Sequence, residues 1–278
     1  MKILLTGSNG NIGSYLKIYL SENHEVYPMD KKGLDITNKS LALEVIKTIK
    51  PDLVIHCAAL TNIDLCERNE TSAYTINTLG SLNIAYPCSL LDIPIVYLST
   101  GYVFDGNQKR PYYETDQCNP INIYGKTKLA GEKLIRTVCK KYFIIRTSLV
   151  FGGDSCFIKK VIENKAVPVF LCSNEISNLT YIKDLCYVID KIIQTEQYGV
   201  YNCVNSEAVS RSLWIKSIFN LLNIEKEVTE IPTNFVCNNA LRGNYTALDT
   251  MLLDNCFNII LPNWKVRLNE YISSLNLL

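Results

Sequence analysis

With 278 residues, the chain can bury a large core as one domain, or as a nucleotide-binding domain with a smaller appendage. Its 28 basic and 27 acidic residues are interspersed and leave a formal charge of +1, which gives no support to a nucleic-acid or acidic-membrane partner. No run approaches the roughly 18 to 20 apolar residues of a membrane span, the first residues make no signal-peptide core, and the eleven cysteines are scattered without a C-x-x-C, as small buried hydrophobes in a reducing cytoplasm would be.

Residues 2–6 read as a strand, followed by the turn Gly7-Ser8-Asn9-Gly10-Asn11-Ile12-Gly13 and a helical pattern through Ile12, Leu16, Tyr19 and Leu20. Strand, glycine turn and helix are the setting of a dinucleotide fingerprint, here with G-x-x-G-x-x-G spacing. A glycine brings no Cβ where backbone must approach a pyrophosphate, and helix N–H groups point at that anion. Residues 25–29 form a second strand ending at Asp30-Lys31-Lys32. An acid there can take the adenosine ribose hydroxyls and a lysine a 2′-phosphate, so NADP(H) and NAD(H) both stay open.

A helix over 40–49 stops at Pro51, and a third strand over 53–57 opens into Ala58-Ala59. Small residues there suit either a cofactor ribose against the backbone or close helix packing. His56 reads as a core residue. His24 and His56, the two histidines, are far apart, which gives a metal site little support. A long helix is expected over 71–91. A buried strand through Ile95-Val96-Tyr97-Leu98 then closes on Ser99-Thr100, and a helix beginning at Asn119-Pro120 runs to about Lys140. Residues 142–147 read as another strand. Strands alternating with helices predict an α/β fold, a Rossmann-like doubly wound parallel sheet.

Beyond 147 the pattern loosens, with helices expected over 155–164, 182–195, 213–222 and 264–275 and strands over 167–171 and 198–204. The expected division is an NAD(P)-binding Rossmann domain over 1–150, to which the strand and helix around 180–204 return. A smaller, mainly substrate-binding C-terminal lobe takes up 151–278.

Tyr124 and Lys128 fall four residues apart on a predicted helix, which puts phenol and ammonium on one face. A free phenol ionises near pH ~10, and a fixed cation beside it draws that value down. Thr100, at a strand's carboxyl end, points into the crevice where open α/β sheets bind ligands. The three together can polarise a carbonyl and protonate its oxygen as hydride reaches its carbon.

The stretches TGSNGNIG, LDIT, PDLVIHCAALTNID, STGYVFDG, NPINIYGKTKLAGE, RTSLVFG and LPNW occur in this order across nearly the whole chain. Together they resemble the dTDP-4-dehydrorhamnose reductase family of extended short-chain dehydrogenases. The resemblance implies a nicotinamide cofactor and reduction of a nucleotide-linked 4-keto-6-deoxy sugar, dTDP- or UDP-linked, to an activated L-rhamnose type. It makes Thr100, Tyr124 and Lys128 the catalytic trio. It assigns Gly7, Gly10, Asn11, Ile12 and Gly13 to the pyrophosphate, Asp35 and Ile36 to adenine, and Ala58 and Ala59 to the ribose. Ile63, Tyr102 and Leu149 fall around the sugar, and Arg242 meets either the nucleotide diphosphate or a surface carboxylate.

The substrate half departs from the family: Gly101 replaces an Asp, Leu149 a Trp, and the distal Arg-Pro is Arg242-Gly243. Gly101 leans toward plant-type bifunctional 3,5-epimerase/4-reductases, for which Tyr102 and Cys118 are the candidate further acid/base groups. A non-catalytic, NADP-binding regulatory subunit resembles the same family. The expected partners are the nucleotide sugar and a second copy of the chain in a homodimer, in the cytoplasm.

Overall fold

In the computed structural model, which describes residues 1–153, 156, 158–159, 162, 169–172, 175–225, 228–231 and 240–275, the apolar runs line up as one parallel sheet. Its strands are β1 (Lys2–Thr6), β2 (Glu25–Met29), β3 (Leu53–His56), β4 (Ile95–Thr100), β5 (Tyr142–Thr147) and β6 (Gly199–Asn202). Their spatial order is β6-β5-β4-β3-β1-β2, and every neighbouring pair is parallel. Pro28 lies in β2, an edge strand, where a missing N–H is tolerated.

Alternation along the strands sorts their side chains into two layers. Leu4, Val54, Tyr97 and Ile144 pack with Ala42, Ile46, Ile84 and Ile135 of helices Lys39–Ile49, Gly80–Leu90 and Ile123–Val138. Ile3, Leu5, Ile55, Val96 and Ile145 pack with Leu16, Leu20, Leu185 and Ile189 of helices Asn11–Leu20 and Ile182–Ile192. Each such buried Leu or Ile contributes about 1.5–3 kcal/mol. The chain leaves β1 outward to β2 and then crosses to β3. The connections therefore diverge above β1 and β3 and open a crevice at their carboxyl ends.

β6 pairs with β5, so the sheet takes its last strand from beyond residue 150. Around it, Leu149–Phe151 pairs with Leu179–Tyr181, Ile176–Ser177 with Val209–Ser210, and Val169–Cys172 with Val228–Ile231. A second core, with Phe151, Tyr181, Trp214, Trp264 and Leu268, holds these together with helices Arg211–Leu221 and Trp264–Ser274.

Two expectations are corrected. The helix over 71–91 is interrupted: Glu70–Tyr74 is α-helical, Thr75–Leu79 is a π turn, and Gly80–Leu90 is α-helical again. The interruption falls where Asn77 is wholly buried: its Oδ1 accepts from Leu60 N at 2.7 Å, and its Nδ2 donates to Leu60 O and Thr127 Oγ1, both at 3.0 Å. The helix bearing Tyr124 starts at Ile123, not at Asn119-Pro120, because Asn122 caps it by accepting from Gly125 N at 2.8 Å. Helices Ile63–Arg68 and Met251–Phe257 went unexpected. Of the helix expected over 155–164, only 156, 158–159 and 162 are described, and 167–168 of the strand expected over 167–171 also lie outside the described residues. Among the described residues no helix is long and apolar enough to cross a membrane.

Candidate active site

A cavity of about 1050 Å³ opens at the carboxyl ends of β1, β3 and β4, and most of the residues singled out as site candidates line it. Gly7, Gly10, Asn11, Ile12 and Gly13 form one wall, with Asp30, Lys31, Asp35, Ile36, Ala58 and Ala59 beside them. Thr100, Tyr124 and Lys128 lie deeper, and Ile63, Tyr102, Leu149 and Arg242 complete the lining. Cys118 and Lys32 are not part of the lining.

The glycine wall is built by backbone contact. Gly7 has φ +68°, and a Cβ there would lie 2.6 Å from Ala58 N, so the turn after β1 and the loop after β3 touch. Gly10 N donates to Gly7 O at 3.0 Å, and Gly10 precedes the Asn11–Leu20 helix without any side-chain cap. The first-turn N–H groups are therefore free for an anion. Asn11 Oδ1 is buried with no partner. Bare backbone and open helix donors fit the diphosphate of a dinucleotide; the Asn11 oxygen, an acceptor, adds nothing to the binding of that anion.

Asp30 Oδ1 accepts from Gly33 N and Lys32 N, each at 3.0 Å, and Oδ2 accepts from Asn9 Nδ2 at 2.9 Å. Gly33 above all, with these other donors, holds the carboxyl below its usual range. Asp35 is held low in the same way by the Thr37 hydroxyl and N–H, 2.7 and 2.9 Å away. Asn83 Nδ2 donates to Ile36 O at 2.9 Å and fixes this loop, a role its sequence position did not disclose. Of the two lysines after Asp30, only Lys31 reaches the cavity lining. Lys31→Ala is therefore expected to lower the ratio of NADPH to NADH affinity several-fold in fluorescence titrations, whereas Lys32→Ala leaves it unchanged. Equal effects of the two substitutions would contradict this placement.

At the deep end, Thr100 Oγ1 accepts from Tyr102 N at 3.2 Å and hydrogen-bonds the Tyr124 phenol. Tyr124 is half-buried, with its ring edge-on to Tyr102 at 6.1 Å. Burial pushes its phenol above the ordinary range, against a smaller downward pull from Thr100. The expected drop in the phenol's value is thus not produced by the protein's own groups, because desolvation outweighs them. Lys128 is buried, with Nζ 3.9 Å from the centroid of the Tyr97 ring. Burial pulls its ammonium down to about 7, against the charge of Glu132. His56 lies outside the cavity, between Thr6 Oγ1 at 2.7 Å and Ser81 Oγ at 3.1 Å, and burial holds it neutral.

At the outer end, Arg242 Nη2 meets Asp64 Oδ2 at 3.0 Å and Nη1 donates to Ala240 O at 3.3 Å. Arg211 Nη1 lies 3.5 Å from Glu175 Oε2. Both arginines and both acids line the cavity, and Nε of each arginine is buried without a partner. Sequence reasoning missed Arg211, since only the folded lobe brings its helix over the crevice. Cys118 instead accepts from Arg146 Nη2 at 3.3 Å behind the site, so it does not reach a bound sugar.

The family of the RmlD substrate binding domain matches residues 1–277. The dTDP-4-dehydrorhamnose reductase of Aggregatibacter actinomycetemcomitans is 32% identical over 271 residues, 93% of this chain and 90% of that protein. This chain belongs to the dTDP-4-dehydrorhamnose reductase family. A further family relative, the spore coat polysaccharide biosynthesis protein SpsK of Bacillus subtilis (strain 168), is 32% identical over 276 residues, 98% of this chain and 96% of its own. The crystal structure of the dTDP-4-dehydrorhamnose reductase of Bacillus anthracis str. Ames in complex with NADP superposes with a TM-score of 0.95 at 34% identity, covering 98% of this chain and 99% of that one. The reductase family thus shares the doubly wound fold and the lobe over it.

Proposed function

We propose that the chain reduces the 4-keto group of a nucleotide-linked 4-keto-6-deoxyhexose, dTDP-4-dehydrorhamnose or a close relative, to an activated L-rhamnose-type sugar, using NADP(H) with NAD(H) as a second cofactor. The observation that carries this reading is the meeting of Thr100, Tyr124 and Lys128 in the same cavity as the glycine wall. Bound NADPH supplies the hydride.

The turn from Gly7 to Gly13 and the helix N-terminus behind it hold the cofactor diphosphate, Asp30 and Lys31 its adenosine ribose, Asp35 and Ile36 its adenine, and Ala58 and Ala59 its other ribose. Thr100 hydrogen-bonds the C4 oxygen and fixes its position. Tyr124 gives its proton to that oxygen as negative charge develops there. Lys128 remains positive and stabilises the phenolate left behind. Arg211 and Arg242 exchange their carboxylates for the diphosphate of the sugar nucleotide, which suits their forked donors. Ile63, Tyr102 and Leu149 enclose the sugar.

The cofactor belongs to a domain made of 1–150 with the returning Ile182–Ile192 helix and β6, and the sugar to the remaining lobe. A cytoplasmic location suits both the cysteine usage and the substrate, with a homodimer as the assembly to test. Reduction without epimerisation is favoured because Cys118, the acid/base candidate paired with Tyr102, lies off the cavity.

The test is NADPH consumption by the purified chain with dTDP- and UDP-linked 4-keto-6-deoxy sugars. Turnover with the dTDP-linked, already epimerised sugar is expected. NADPH consumption with none of them would overturn the assignment.

A further inference from the structure

Glu132 follows Lys128 by one helical turn and is as deeply buried, 1% against 3% exposed. Its carboxylate is saturated by buried donors. Ser99 Oγ donates to Oε1 at 2.5 Å, Arg146 Nε to Oε1 at 3.1 Å, and Arg146 Nη2 to Oε2 at 2.8 Å. Arg146, on β5, is 3% exposed and also donates to Glu114 O at 3.2 Å. A buried ion pair of this kind adds little net stability over a well-packed apolar pair, so its presence behind Lys128 needs another reason.

Lys128 itself makes no salt bridge among the described residues; its ammonium rests on the Tyr97 ring. Tyr124 precedes it and Glu132 follows it by one turn of its own helix, His56 and Cys57 face it from β3 and the loop after it, and Tyr97 from β4, with Arg146 behind Glu132. Burial holds His56 neutral and pushes the Cys57 thiol up to about 12, so neither brings a charge at neutral pH. Tyr97 and Tyr124 are likewise protonated phenols, pushed upward by burial. The carboxylate of the Glu132–Arg146 pair is therefore the anion that acts on Lys128.

We propose that the buried Glu132–Arg146 pair is the electrostatic support of the site, with Glu132 a positioning residue that keeps Lys128 cationic on an otherwise apolar floor. Arg146 and Ser99 keep that carboxylate charged and aimed without letting it bond Lys128 directly and draw it from the cavity. The inference rests on the reading of Lys128 as the cation of the catalytic trio.

The test is the pH profile of kcat for the wild type, Glu132→Gln, Glu132→Asp and the double variant Glu132→Gln/Arg146→Gln. Removing an anion favours the neutral amine, and turnover needs the ammonium, so the alkaline limb of Glu132→Gln is expected to move to lower pH by about one unit or more. Glu132→Asp keeps the charge and is expected to keep the limb in place even where the rate falls. The double variant leaves no unpaired buried charge and is expected to fold, with its limb displaced downward by less than that of Glu132→Gln.

Equal rate losses in Glu132→Gln and Glu132→Asp with unmoved limbs would reduce the pair to a structural brace. Should Glu132→Gln fail to fold, a double variant with the wild-type limb would overturn the proposal on its own. A wild type without turnover would instead bring down the underlying reductase reading.

Discussion

Tyr124→Phe is expected to lower kcat by ~10² to 10⁴ while NADPH affinity stays nearly unchanged. The ring packs against the cluster of Cys66, Ala73 and Ile123 and stands edge-on to Tyr102, and phenylalanine keeps all of that surface. Only the hydroxyl that meets Thr100 is removed. That group matters when charge develops on the substrate oxygen, so its loss falls on the transition state rather than on cofactor binding. Because burial raises the phenol, Tyr124 keeps its proton through neutral pH, and the alkaline limb of the wild type reports Lys128, drawn down to about 7 by burial, before it reports Tyr124. Steady-state kinetics with fluorescence titration of NADPH checks both halves. A loss smaller than about tenfold would mean another group gives the proton.

Gly13→Ala is expected to weaken NADPH binding by about 10- to 100-fold and to lower the melting temperature. A Cβ on Gly13 would overlap the Gly7 carbonyl oxygen and lie 2.9 Å from Gly7 C and 3.0 Å from Ser8 Cα. All three are backbone atoms, which cannot swing aside as a side chain can. The Asn11–Leu20 helix has to shift away from the turn, and overpacking of this kind costs about 1–3 kcal/mol. That cost falls on the melting temperature; the displaced helix donors separately lose contact with the cofactor diphosphate, and each 1.4 kcal/mol lost there is about tenfold in affinity. Calorimetric titration of NADPH into the variant measures it; an unchanged dissociation constant would show that the turn does not hold the cofactor.

The parallel sheet was legible because buried strands announce themselves: Ile3-Leu4-Leu5, Val54-Ile55 and Ile95-Val96-Tyr97 are apolar on both faces. The glycine wall and the Tyr124/Lys128 spacing were legible because each needs particular residue types at fixed separations. What stayed hidden depends on tertiary position. Nothing local marks the π turn at Thr75–Leu79, whose purpose is to bring Asn77 to Leu60 and Thr127. Arg211 follows an ordinary Ser210 cap, and only the lobe's packing turns its helix start toward the cavity. The phenol's direction was misjudged for the same reason, since spacing discloses a neighbouring charge but not the depth of the surrounding protein.

The strand Gly199–Asn202 pairs with Tyr142–Thr147 more than fifty residues earlier, after the chain has already traversed part of the outer lobe. Neither half can therefore complete itself alone. Cutting the chain near residue 150 would strip the hydrogen-bonding edge of Tyr142–Thr147 and bare the apolar layer that Leu185, Val188 and Ile189 cover. Folding must close this long loop before the sheet gains its last strand, a pairing of large sequence separation and hence a slow one. The interleaving also makes loss of the lobe and loss of the sheet one cooperative event, so the chain is expected to melt as a single unit rather than shedding its outer lobe first.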